Sequence, residues 1–233
     1  MKGEHFIVYH IDDRQFAKDT LREAEKFYDR IAHDLGYSRY DNFWQWDKRV
    51  KIYIYSTHED FLEATGRQKW IYGLAMYDEK EIITYRWNEG FLKSLLPHEL
   101  THLIFRDFIG FKGEAPLWLD EGVAQWQEEE KRKVAFKIVK HLIKGKHLIP
   151  LDELTQMDVR EGSDALTSQK FYAEAVTLVG FMVEKYGGTR FTMFCRQLRD
   201  GKSINKALSF AYTTSIRDLN ELEKRWMEYC LAS

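Results

Sequence analysis

The sequence predicts an α+β protein in which a small mixed β-sheet with its helices occupies residues 1–87 and helices fill 88–233. Two observations predict it. Segments with β-favouring alternation occur only before Trp87, and from Asn88 onward apolar residues recur at helical spacing. At 233 residues the chain suffices for one domain with a proper core, read here as a single domain of a sheet lobe and a helical lobe with a cleft between them.

The elements follow in order. Glu4 to Ile11, with Phe6, Ile7, Val8 and Tyr9, reads as a strand. Asp12-Asp13 then caps a helix from Arg14 to Asp34, which places Phe16, Leu21, Ala24, Phe27 and Ile31 on one side and ends at Gly36. Tyr37 to Lys48 is an aromatic-rich loop tacked down by Trp44 and Trp46. Arg49 to Tyr55 alternates Val50, Ile52 and Ile54 with Lys51, Tyr53 and Tyr55, a half-buried strand. Thr57-x-x-Asp60 caps a short helix ending at Gly66. A hairpin follows, Tyr72 to Tyr77 and Glu81 to Tyr85, turning through Asp78-Glu79-Lys80.

Helices then continue to the end. Pro97 fits in two ways: either Ser94 caps a helix whose first turn holds the proline, or a longer helix kinks there. After a loop at Gly110 to Ala115, Pro116 opens a helix predicted to run to Lys144, with its charge run at Glu128 to Lys133 as a solvated face. Gly145 to Gly162 is an irregular connection with a short turn at Asp152 to Met157. Further helices cover Ser168 to Tyr186, Thr189 to Arg199, a short segment capped by Ser203, and a last helix to Tyr229 capped by Ser215-x-x-Asp218.

Composition narrows the function classes. Hydrophobic residues at 44% and charged residues at 31% fit a soluble domain, and a net charge of −2 without a separate basic face argues against nucleic acid. No apolar run reaches membrane-spanning length, so no membrane span is expected. The compartment stays open: cytoplasmic as the chain stands, or exported if Met1-Lys2-Gly3 replaces a signal; a monomer is compatible with the sequence. Cys195 and Cys230 lack metal-ligand spacing and read as buried free thiols.

The chemistry concentrates in His98-Glu99-Leu100-Thr101-His102. On a helix, residues four apart share a face, so both imidazoles can hold one cation with Glu99 beside them. A zinc ion needs a further protein ligand and an open position. Glu121, in Trp118-Leu119-Asp120-Glu121-Gly122-Val123-Ala124, supplies the third donor, although Asp120 competes because neighbours on a helix point about 100° apart. Asp107, Asp120 and Glu114 are the nearby carboxylates that could orient the imidazoles.

One zinc ion on His98, His102 and Glu121 would bring the ionisation of water near neutral pH, and Glu99 would act as general base and then general acid in amide hydrolysis. Tyr172 could donate its O–H to the oxyanion, set against the packing role usual for a helical tyrosine. His141 and His147 are weaker candidates for that role.

His98-Glu99-x-x-His102 followed by Trp118-Leu119-x-Glu121-Gly122-x-Ala124 resembles the gluzincin metallopeptidases, most closely the small bacterial peptidase-MA-like proteins. The likeness extends to the strand-helix-strand opening, the hairpin, the segment from Tyr172-x3-Val176 to Tyr186-Gly187, and Leu222-Glu223-x-x-Trp226. It implies a zincin (thermolysin-like) fold, ligands His98, His102 and Glu121, base Glu99, and an oxyanion role for Tyr172. It also implies that an edge strand, here Gly73 to Asp78, pairs with a peptide substrate. The aminopeptidase branch has a glutamate where this chain has Tyr77, which favours an endopeptidase, though Asp78 could substitute. The alternatives are a zinc-binding module that holds a peptide or partner without cleaving it, and a zinc hydrolase acting on cell-wall peptides or other amides.

Overall fold

A computed structural model describes residues 1–36, 44, 48–69, 71–86, 90–110, 115–160 and 162–232. Most of the aromatic loop expected at 37–48, including Trp46, lies outside them, as does Glu114.

The chain is α+β, mostly helical with one small mixed sheet. Its contacts divide it into two units, Met1–Ala32 with Ser38–Ile104, and His33–Tyr37 with Phe105–Ser233. In the first unit the strands are β1 (Phe6–His10), β2 (Val50–Tyr55), β3 (Gly73–Met76) and β4 (Glu81–Tyr85), in the order β1-β2-β4-β3. β1, β2 and β4 are parallel; β3 returns antiparallel to β4 and forms an edge. Alternation does the sorting: Phe6, Val8, Val50, Ile52, Ile54 and Ile82 are buried while their neighbours point away. Helix α1 (Arg14–Asp34) covers that face, with Tyr28 meeting Phe6 and Trp44 at ring-centroid distances of 6.2 and 5.7 Å. Helix α2 (His58–Thr65) starts at the expected capping box, in which Thr57 and Asp60 satisfy each other's backbone N–H, and stops at Gly66 in the left-handed region.

Pro97 is accommodated by a continuous helix. A π-turn, Phe91–Leu95, runs directly into α3 (Leu96–Ile109), so Ser94 lies inside a turn rather than capping one. The Leu96 N–H reaches back to the Phe91 carbonyl, and this wider turn admits a proline that has no N–H of its own. The proline's carbonyl accepts from the Thr101 hydroxyl at 2.6 Å.

In the second unit the helix expected from Pro116 to Lys144 is two helices, α4 (Leu117–Trp126) and α5 (Glu129–Gly145). Glu128 adopts extended backbone and is buried, its carboxylate held by Lys131 at 2.7 Å. Gln127, also buried, donates to Asp34 at 3.3 Å. Those tertiary contacts override a local pattern that is helical throughout.

A short α6 (Leu151–Leu154) precedes α7 (Ala165–Tyr186), which begins three residues before Ser168 because Asp164 accepts from the N–H groups of Leu166 and Thr167. From Ala173 to Val183 every residue of α7 is buried, making it the core helix of this unit. Helices α8 (Gly188–Arg199), α9 (Ile204–Tyr212) and α10 (Leu219–Ala232) complete it. Asp218 rather than Ser215 caps α10, accepting from Glu221 N–H at 2.9 Å. Cys195 and Cys230 are free and buried. No helix of the described residues is long and apolar enough to cross a membrane.

Candidate metal centre

Helical spacing brings the two histidines together. His98 and His102 lie one turn apart on α3, with their Nε2 atoms 3.1 Å from each other. Two nitrogens bound to one tetrahedral zinc at about 2.0–2.1 Å stand roughly 3.4 Å apart, so the pair is close to ligand geometry. His102 is only 4% exposed while His98 is half-buried, and the intervening Leu100 and Thr101 face the core. Glu99, beside His98, is half-buried.

Glu121, on α4, completes a group whose ligand atoms, one per residue, all lie within 4.8 Å of one another. Two imidazoles and a carboxylate suit zinc by donor chemistry as well as spacing. This is the one such group among the described residues, and neither His141 nor His147, both exposed, belongs to it.

The competition between Asp120 and Glu121 is resolved by Arg106. Its Nη2 and Nε donate to one Asp120 carboxylate oxygen at 2.6 and 3.2 Å, and Asp120 is buried. With Asp120 engaged there, its neighbour points elsewhere. Gln125, one turn on, donates to Glu121 at 3.4 Å.

Two glycines set how closely α4 lies on α7. A Cβ on Gly122 would meet Val179 at 2.7 Å and the Ala175 carbonyl oxygen at 2.8 Å, and one on Gly180 would strike the Trp126 ring at 2.1 Å. Tyr172, two turns into α7, is half-buried. Burial pushes its phenol above the usual tyrosine value, and the nearby Glu121 carboxylate pushes in the same direction, so it remains an O–H donor at neutral pH.

The edge strand approaches the motif within the first unit. A Cβ on Gly73 would meet the Leu95 side chain at 2.6 Å, and the Tyr77 ring stands edge-on to His102 with centroids 6.2 Å apart. Sequence reasoning missed Arg106 and Gln125 as neighbours of the site. Their signal was present: Arg106 continues the four-residue spacing of His98 and His102, and Gln125 follows Glu121 by four.

A mostly helical α+β chain that gathers two histidines and a glutamate in this way is built like a protein that holds a catalytic metal through a His-His-carboxylate set. A family model described as the Peptidase MA superfamily matches residues 39–232, and the chain belongs to that superfamily. No curated protein matches it.

Proposed function

We propose that the protein is a zinc-dependent endopeptidase. The observation that carries this reading is the convergence of His98, His102 and Glu121, with Glu99 beside the pair on the same helix, in a chain of a peptidase superfamily. His98, His102 and Glu121 would hold the ion, which when bound supplies Lewis acidity and brings the ionisation of water near neutral pH. Glu99 takes the proton of the attacking water and returns it to the leaving amine. Tyr172 donates its O–H to the oxyanion that develops on the scissile carbonyl. The edge of β3 opposite β4 offers backbone N–H and C=O groups to an extended peptide, and Tyr77, just past the end of β3, occupies the sequence position at which the aminopeptidases that the chain resembles carry a glutamate for the free amino terminus, which supports the endopeptidase reading.

The test is Glu99→Gln in zinc-loaded protein, scored against a diverse peptide mixture by mass spectrometry. Loss of about 10²–10⁴-fold in rate with zinc retained is expected for a general base. Full activity of the variant would overturn the mechanism. Stoichiometric zinc with no cleavage by the unmodified protein would favour a binding module instead.

A further inference from the structure

We propose that the lysine-bearing face of α5 docks the protein on an anionic lipid bilayer, holding it at the membrane surface. The inference rests on α5 and goes beyond the peptidase reading, on which it does not depend.

From Lys131 to Leu151 the chain has seven Lys or Arg and no Asp or Glu, within a protein of net charge −2. Along the sequence these cations are interleaved with the apolar residues that pack the helix, which hides a separate basic face. The helix sorts them. Ala135, Val139, Leu142 and Ile143 are buried, and Phe136 meets Tyr229 of α10 with ring centroids 5.8 Å apart. Lys137, Lys140 and Lys144, at i, i+3 and i+7, line the opposite side, and Lys146 follows just past the helix end. Lys137, Lys144 and Lys146 are exposed and Lys140 is half-buried.

Little in the fold accounts for these four lysines. Lys131 holds Glu128 at 2.7 Å, and Lys133 is shared by Glu129 and Glu130 at 2.8 and 2.9 Å. Among the described residues Lys137, Lys140, Lys144 and Lys146 have no ion pair or side-chain hydrogen bond. The helix dipole favours a cation only in the last turn, which holds Lys144 but neither Lys137 nor Lys140.

Charge complementarity selects the occupant. A cluster of about four to eight cations on one helix surface matches the negative potential of an anionic leaflet. A lysine ammonium is a compact, hydrated point charge that suits a diffuse array of lipid phosphates. Nucleic acid is read instead with arginine forks and exposed aromatic rings, and the strip has neither. Protein interfaces are depleted in lysine and need an apolar centre. The apolar margin here is Val134, 53% exposed and three residues before Lys137, which is too small for such a centre and suited to entry among lipid headgroups.

The test is co-sedimentation of the full chain with vesicles of phosphatidylcholine alone or mixed equally with phosphatidylglycerol. At low salt, binding to the mixed vesicles only is expected. It should be lost at about 0.5 M salt, where the Debye length falls to about 4 Å. Lys137→Gln/Lys140→Gln/Lys144→Gln should weaken the partition by about 100-fold, about fivefold for each lysine. Lys18→Gln/Lys202→Gln/Lys206→Gln removes the same charge at exposed lysines elsewhere and should leave the partition nearly unchanged. No binding to the mixed vesicles at low salt, equal binding to both vesicles, or equal loss in the two variants overturns the proposal. Tighter binding to polyglutamate or duplex DNA than to vesicles also overturns it, and reassigns the strip to an acidic protein or to nucleic acid.

Discussion

At the scale of single residues the His98, His102 and Glu121 group depends on what holds Asp120, the neighbour of Glu121. His98, His102 and Arg106 recur every four residues along α3, and Arg106 closes on the buried Asp120 carboxylate. Holding Asp120 in this way turns Glu121 about 100° from it, toward the histidines. Arg106→Met would take the guanidinium away from the buried Asp120 carboxylate. It should cost about 3 kcal/mol of stability and weaken zinc binding by about 10- to 100-fold. Denaturant unfolding and competition against a chelator measure the two effects, and unchanged zinc affinity would mean that the pair does not position Glu121. The grouping of His98, His102 and Glu121 is legible in the sequence, because two histidines at helical spacing share a face and the glutamate lies in an apolar helix downstream. Arg106 is not, because an arginine on an amphipathic helix reads as a solvated residue until a buried partner is seen.

Among the elements, α7 shows where pattern reading stops. Its apolar residues predict a helix, yet nothing local marks it as buried all round or places Glu174 at zero exposure within it. That carboxyl accepts from the Ile149 N–H at 3.1 and 3.2 Å through its two oxygens. Burial pushes its pKa from 4.5 up to about 8, with the Ile149 hydrogen bond and Lys170 opposing and Glu223 assisting. The fold therefore favours the protonated form. As pH rises from about 4.5 to about 8 the unfolded chain gives up this proton first, so this group's contribution to stability is present at low pH, falls through that window and is level beyond it. Glu174→Gln keeps an acceptor for Ile149 and removes the titration. Thermal unfolding at pH 5 and pH 8 should show the unmodified protein losing stability relative to the variant; parallel curves would contradict the assignment. The break between α4 and α5 was hidden for a related reason, since Gln127 and Glu128 look like surface residues in sequence and are buried by contacts that only the fold supplies.

Over the whole molecule the order and type of the elements follow from periodicity, caps and turn residues, and the superfamily match spans 39–232. Less visible are contacts between residues far apart in sequence, such as Gly180 against Trp126, because a glycine in a helix carries no mark of the ring that will lie on it. The central claim joins residues on two helices: His98 and His102 on α3, Glu121 on α4, one zinc ion. Anomalous diffraction at the zinc edge from crystals of zinc-loaded protein tests it most directly. The account predicts one peak about 2.0–2.2 Å from a nitrogen of His98, a nitrogen of His102 and a carboxylate oxygen of Glu121. A zinc peak bound elsewhere, or none at these three side chains, would contradict it.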